Sequence, residues 1–251
     1  ALAIEPKLPE AYNLKGIALR RTNQAKKAVE EYKKALLFQP DLPEIHYNLG
    51  LAYWHSGQPE KARAEYQRAI QLDPRYAKAY ANLGFVYLKQ NQPQKAIKYS
   101  RKALELFPEL ARAQATLAAA YLLLGELDKA QYHCEQALQL NPRLAEAYST
   151  RGTIWLRQGR FELALKNYTQ AVKLNPAYSE AWYNRGRAYL INNNLSLAIR
   201  DLEKALQLVP QDHRYLASLG AAYLKAGDVD KAIKFSRNAF EVKPDYPIAL
   251  V

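Results

Sequence analysis

The sequence predicts an all-α fold: a solenoid of antiparallel helix pairs stacked in one domain. Three observations carry the prediction. Pro6, Pro40, Pro74, Pro108, Pro142, Pro176, Pro210 and Pro244 lie 34 residues apart, and a fixed period of this length marks a repeat architecture. Within each period one position, midway between two apolar stretches, holds only Gly or Asn. Three further positions are held by small residues, which lets helices approach closely.

With the recurring proline as position 32, seven repeats span 9–42, 43–76, 77–110, 111–144, 145–178, 179–212 and 213–246. Residues 1–8 read as the tail of a preceding repeat, and 247–251 as the start of an eighth. In each repeat helix A is predicted over about positions 2–14. It ends at position 15, which reads Asn23, Gly57, Asn91, Gly125, Gly159, Asn193, Gly227. These residues enter the left-handed conformation cheaply, as a helix C-terminus requires. Helix B follows over about positions 18–30. Pro59 and Pro93 stand at its start, where the first turn tolerates proline. The position-32 proline limits it, since the residue before a proline disfavours helix. Position 8 is Gly16, Gly50, Gly84, Ala118, Gly152, Gly186 and Gly220, and positions 20 and 27 are alanine throughout. Position 11 is aromatic from Tyr53 to Tyr223, with Leu19 the exception. A single pair cannot bury its apolar surface alone, so the pairs must stack.

This pattern resembles the tetratricopeptide repeat family, whose signature is an aromatic at 4, Leu-Gly at 7–8, an aromatic at 11, Ala at 20, an aromatic at 24, Ala at 27 and Pro at 32. The resemblance covers essentially the whole chain and implies a right-handed superhelix. Ser100, Cys134 and Ser236 depart from it at position 24, and Lys15, Arg151 and Arg185 at position 7. These departures predict local repacking.

Composition bounds the function. Hydrophobic residues make up 49% and charged residues 24% of 251 residues, the range of a soluble folded protein. No apolar run approaches the ~18–20 residues of a membrane span, and no secretory leader is visible. A soluble, cytoplasmic protein without membrane insertion is expected. The chain has no methionine, which predicts a fragment or a processed product. Its ends read as uncapped helices, and end-to-end self-association through them is expected. The single Cys134 excludes an internal disulfide framework and a multi-cysteine zinc site. No phosphate loop, His-Glu-x-x-His or nucleophile elbow occurs. Cys134 falls on a core position and His213 begins a helix. The sequence therefore predicts no enzymatic activity, no metal and no cofactor.

In the family, helix A lines the concave face through positions 2, 5, 6, 9, 12 and 13. Here they carry nine cations (Arg20, Arg21, Lys78, Lys89, Arg112, Arg157, Arg187, Arg214, Lys225) and four acids (Glu10, Glu44, Glu146, Glu180), a net +5 of the chain's +12. This predicts a groove that steers an acidic ligand. Position 6 reads Leu14, Asn48, Asn82, Thr116, Thr150, Asn184, Ser218. An asparagine amide donates and accepts at once, so it can pair with an extended peptide backbone. The row is similar to the asparagine ladder of O-linked N-acetylglucosamine transferases, with only Asn48, Asn82 and Asn184 matching. Tyr47, Trp54, Phe85 and Tyr183 are candidate anchors for apolar ligand side chains, or pack against the neighbouring helix A. The family's carboxylate clamp fits poorly, because position 5 holds no lysine and position 9 no asparagine.

The expected function is a protein-binding scaffold whose groove takes an extended or helical, acidic segment of a partner. A substrate-recruiting region of a larger enzyme, such as a glycosyltransferase, is the alternative. RNA binding through the basic face is a weaker one. The window Glu44–His55 first suggests an acid/base site, yet its two histidines are nine residues apart and face opposite sides of one helix. His46 stands where sister repeats place Tyr or Trp, and so reads as a packing residue.

Overall fold

Among the described residues, seven in the left-handed conformation punctuate the chain: Asn23, Gly57, Asn91, Gly125, Gly159, Asn193 and Gly227, with φ between 56° and 84°. All are the position-15 residues. After six of them the next residue's N–H bonds the carbonyl five residues back, as in Gln24 to Leu19 (2.8 Å) and Asp228 to Tyr223 (3.0 Å). This is the Schellman closure that a left-handed C′ residue makes possible.

The structure, a computed structural model, describes residues 9–245. The expected repeat tail at 1–8 and the start of an eighth repeat at 247–251 lie outside the described residues. The described chain is all-α, with fourteen helices in sequential pairs and no strand. The A helices are α1 (Pro9–Arg21), α3 (Pro43–His55), α5 (Ala77–Lys89), α7 (Ala111–Leu123), α9 (Ala145–Arg157), α11 (Ser179–Ile191) and α13 (His213–Lys225). The B helices are α2 (Ala25–Phe38), α4 (Pro59–Leu72), α6 (Pro93–Leu106), α8 (Leu127–Leu140), α10 (Phe161–Leu174), α12 (Leu195–Leu208) and α14 (Val229–Val242). Each A helix begins one position before its expected start and ends one before its expected end. Pro9 and Pro43 are themselves its first residues, as fits proline's pre-set φ and missing N–H.

The chain divides into two compact units, Ala1–Gly125 and Glu126–Val251. In each, an A helix packs on its own B helix, and that B helix on the next A. Successive A helices also approach one another: α1 and α3, α5 and α7 in the first unit, α9, α11 and α13 in the second. No comparably close pair of successive B helices is found among the described residues. Each stack therefore crowds its A row and opens its B row.

The position-8 glycines fix how closely A and B meet. A Cβ on Gly16 would lie 2.5 Å from the Tyr32 ring, on Gly50 2.6 Å from Tyr66, and on Gly152 2.7 Å from Tyr168. Position 24 thus leans its side chain into the space that position 8 leaves. Where it is serine, as in Ser100 opposite Gly84, the two backbones close in instead: the same Cβ would meet Ser100 Oγ at 2.5 Å and the Ala96 carbonyl at 3.2 Å. Cys134 is fully buried, and its Sγ donates to the Ala147 carbonyl at 3.0 Å. Burial pushes this thiol up to about 12, which leaves it a packing group with no thiolate at neutral pH.

The three charged residues at position 7 each find a polar residue sixteen positions later, on helix B. Lys15 pairs with Glu31 (3.2 Å), Arg151 Nε donates to Asn167 (2.7 Å), and Arg185 grips Asp201 through two bonds of 2.6 and 3.1 Å. In the leucine repeats the same position 23 carries Glu65, Tyr99, His133 and Phe235. Glu65 is the carboxylate among them, and it binds His46 Nδ1 at 2.7 Å. His46 Nε2 meets the Pro40 carbonyl at 2.8 Å.

His46 is therefore more than the expected packing residue. With a carboxylate at one ring nitrogen and a carbonyl at the other, both nitrogens donate only when the ring is an imidazolium. Burial pushes its pKa down, but the bonds to Glu65 and Pro40 outweigh burial and leave it above the usual 6.5. A group whose folded pKa is raised adds stability that is complete below its unfolded pKa and lost as pH rises through the folded one. His46→Tyr, which restores the sister residue, is expected to remove that dependence. Melting temperatures of both proteins at about pH 5.5 and about pH 8.5, on either side of the usual histidine range, check it. The difference between wild type and variant should shift against wild type at the higher pH. An unchanged difference would contradict the charged pair.

Candidate partner-binding face

Positions 2, 6, 9 and 13 recur on one stripe of an α-helix, within about 60° of each other at ~100° per residue. The crowding of the A row places this stripe of successive helices side by side in each unit.

In the first unit the row contains Leu14, Asn48, Asn82 and Thr116. Asn48 Nδ2 donates to Asn13 Oδ1 (3.1 Å), and Asn82 Nδ2 to the Tyr47 hydroxyl (3.2 Å). Both asparagines and Thr116 are buried. Thr116 turns back and donates to the Arg112 carbonyl of its own helix (2.9 Å). Trp54 and Phe85 meet edge to face across successive repeats, with centroids 5.2 Å apart, and Lys89 Nζ lies 5.5 Å from the Phe85 ring. Tyr47 packs between Tyr66 and Tyr76, at 6.0 and 5.2 Å. Burial pushes its hydroxyl up, so it is neutral. Lys78, Lys89 and Arg112 are exposed.

In the second unit Asn184 Nδ2 donates to Ser149 Oγ (3.1 Å) and Ser218 Oγ to the Tyr183 hydroxyl (3.5 Å). Thr150 bonds the Glu146 carbonyl (2.9 Å). Tyr183 is buried, its ring tilted against that of Tyr215 with centroids 4.7 Å apart, with the Arg187 and Arg214 guanidiniums 5.6 and 5.8 Å from its ring. Arg214 is also locked to Asp212 by bonds of 3.0 and 2.6 Å. Burial alone would raise the Asp212 carboxyl, but Arg214 holds it below its usual value. Arg214 thus adds little net charge to this face. Arg157 and Arg187 are exposed. Glu180 accepts from the Tyr178 hydroxyl at 2.9 Å; burial and then that carboxylate keep the phenol protonated.

Position 6 donates to position 5 of the preceding repeat, a pairing that neither column shows by itself. The signal lies 35 residues apart: Asn13 with Asn48, Tyr47 with Asn82, Ser149 with Asn184, Tyr183 with Ser218. Where position 5 is Ala81 or Ala115, the following position 6 is Thr116 or Thr150, a residue that can bond its own helix. Every position-6 side chain from Asn48 to Ser218 is therefore engaged, and each asparagine retains one amide N–H and its carbonyl oxygen for further bonding.

Comparison with known proteins places these repeats. Residues 41–109, 87–154, 150–213 and 192–239 match models described as tetratricopeptide repeat, and residues 16–57 one described as TPR repeat. No curated protein matches the sequence. Among solved structures, the chain is similar to one in the APC/C hetero-tetramer Cut9-Hcn1, with TM-score 0.84 and 18% identity over 98% of this chain. It spans 49% of that chain's length. Pseudomonas aeruginosa pilF is similar with TM-score 0.61 and 20% identity, covering 82% of this chain and 94% of that one. A thermophilic TPR protein of Thermus thermophilus, TTC0263, is similar with TM-score 0.63 and 23% identity, covering 72% of this chain and 99% of that one. At these identities the likeness concerns the fold.

Proposed function

Because the chain belongs to the tetratricopeptide repeat family, a scaffold fold typical of protein–protein interaction, we propose that it is a non-enzymatic scaffold. Its helix-A face takes up a segment of a partner protein, and acidic side chains of that segment are drawn to the first unit. One observation carries this reading. Exposed Lys78, Lys89 and Arg112 stand on α5 and α7, and Lys89 Nζ lies 5.5 Å from the Phe85 ring that Trp54 meets. Cations beside half-buried aromatics suit a segment that pairs carboxylates with an apolar anchor. Asn48 and Asn82 support it, since the second N–H and the carbonyl of each amide can meet a ligand main chain.

The test uses a displayed peptide library of mixed composition. Selection on the protein is expected to enrich peptides with two or more Asp or Glu flanking an aromatic or leucine. Reversing Lys78, Lys89 and Arg112 to Glu should weaken the selected peptides at least about tenfold, roughly 1.4 kcal/mol. It should also flatten the salt dependence of binding. Reversing Lys26 and Lys33, exposed on α2, is the control and should change affinity little. Equal losses in both variants would mean that only net charge matters and would refute the site.

A further inference from the structure

The averaged positive charge of the helix-A face hides an internal division in the second unit. Position 2 carries Glu146 on α9 and Glu180 on α11, while its third member, Arg214, is neutralised by Asp212. Position 13 carries Arg157 on α9 and Lys225 on α13, both exposed, with exposed Ile191 between them on α11. Arg187 at position 9 lies on the same stripe, nearer the basic side. Eleven residues separate positions 2 and 13, so the acidic and basic rows run about 16 Å apart at 1.5 Å per residue. A helix is ~10–12 Å across with its side chains. It fits between the rows with its flanks in reach of both.

We propose that this bipolar face orients a docked helix of a partner protein, fixing which way its chain runs across α9, α11 and α13. The proposal rests on reading the helix-A face as the partner-binding surface. A helix is favoured over an extended strand because the floor between the rows has most of its donors engaged: Thr150 to Glu146, Asn184 to Ser149, Ser218 to Tyr183. An extended backbone needs partners for its own N–H and C=O groups, and a helix has satisfied them internally. Turning a docked helix end for end exchanges the flanks that face the two rows. A ligand with acids on one flank and bases on the other is therefore attracted in one direction and repelled in the other.

Acid at a helix start and base at its end is also what the helix dipole favours. That explains why the charges are tolerated and does not remove their field. Each helix end carries about half a charge, and the full charge of the side chain sets the sign.

The experiment uses the full chain and two synthetic helical peptides of identical composition. Each has a leucine stripe, glutamates on one flank and lysines on the other, and the second exchanges the two flanks. Each bears a nitroxide at its N-terminus, and broadening of backbone amide signals is read in α9 and in α13. The expected result is that one peptide broadens α9 and the other α13. Combining Glu146→Lys, Glu180→Lys, Arg157→Glu and Lys225→Glu should exchange the pattern; the arm comparing peptides on the wild-type protein needs no variant to fold. Both peptides broadening the same helix, or both helices equally, would overturn the orientation while leaving the face as a binding surface. No binding by either peptide at millimolar concentration would overturn the proposal, while the peptide-library test on the first unit would still stand.

Discussion

Replacing Asp201 with leucine is expected to destabilise the second unit by about 3–5 kcal/mol, the range for removing one member of a buried ion pair. Asp201 is fully buried and the Arg185 side chain is 8% exposed. Arg185 holds both carboxylate oxygens, donates a third bond to Thr169 at 3.2 Å, and stacks 4.9 Å from the Trp182 ring. Without Asp201 the guanidinium stays in place with its main acceptor gone, and it can neither lose its proton nor reach water without unpacking the repeat. Arg200, which also approaches Asp201 at 3.3 Å but is largely exposed, cannot substitute because it carries the same sign.

The paired replacement should behave differently. Arg185→Leu with Asp201→Phe installs the combination that the chain already uses in its seventh repeat, Leu219 and Phe235. Apolar replacement of a whole buried pair is often neutral or stabilising by about 1–4 kcal/mol. Urea unfolding followed by circular dichroism, on Arg185→Leu, Asp201→Phe and the double variant, gives the coupling energy. A double variant as unstable as the worse single would contradict the account. It would mean that the site requires polarity for a reason other than the pairing.

Much of the fold was readable from single columns of the repeat. Position 15 alone located the turns, because only Gly and Asn tolerate the φ observed there. What single columns could not show were contacts made between columns. Lys15, Arg151 and Arg185 read as departures at position 7, and their compensation at position 23 appears only when Glu31, Asn167 and Asp201 are set beside them. The row at position 6 read as a ligand-binding ladder, whereas position 5 of the preceding repeat takes one donor from Asn48, Asn82, Asn184 and Ser218. Summing charge over the groove counted Arg214 as a free cation, since Asp212 lies in the preceding repeat outside the positions summed. Sums also merged the acidic row of Glu146 and Glu180 with the basic one.

The second large effect concerns the lock between positions 8 and 24. Tyr66 is 1% exposed, and Tyr66→Ala is expected to cost about 3–5 kcal/mol, as for truncation of other buried aromatics. The same ring decides the sign of a substitution elsewhere. Gly50→Ala in a helix interior gains about 1 kcal/mol of propensity. In the wild-type protein the new Cβ would stand 2.6 Å from Tyr66 Cε1 and 2.8 Å from Cδ1. The ring has no room to retreat, being packed against Tyr47, and overpacking of this kind costs about 1–3 kcal/mol. Gly50→Ala is therefore expected to destabilise the wild-type protein and to stabilise the Tyr66→Ala protein, where the ring is gone. The one alanine at position 8, Ala118, occurs in the repeat whose position 24 is the small Cys134, whereas Ser100 and Ser236 come close to Gly84 and Gly220. A double-mutant cycle at Gly50 and Tyr66 reads the reversal of sign directly. If Gly50→Ala destabilised both backgrounds equally, backbone conformation would be the reason for the glycine, and the close approach of helices A and B would not depend on the tyrosine.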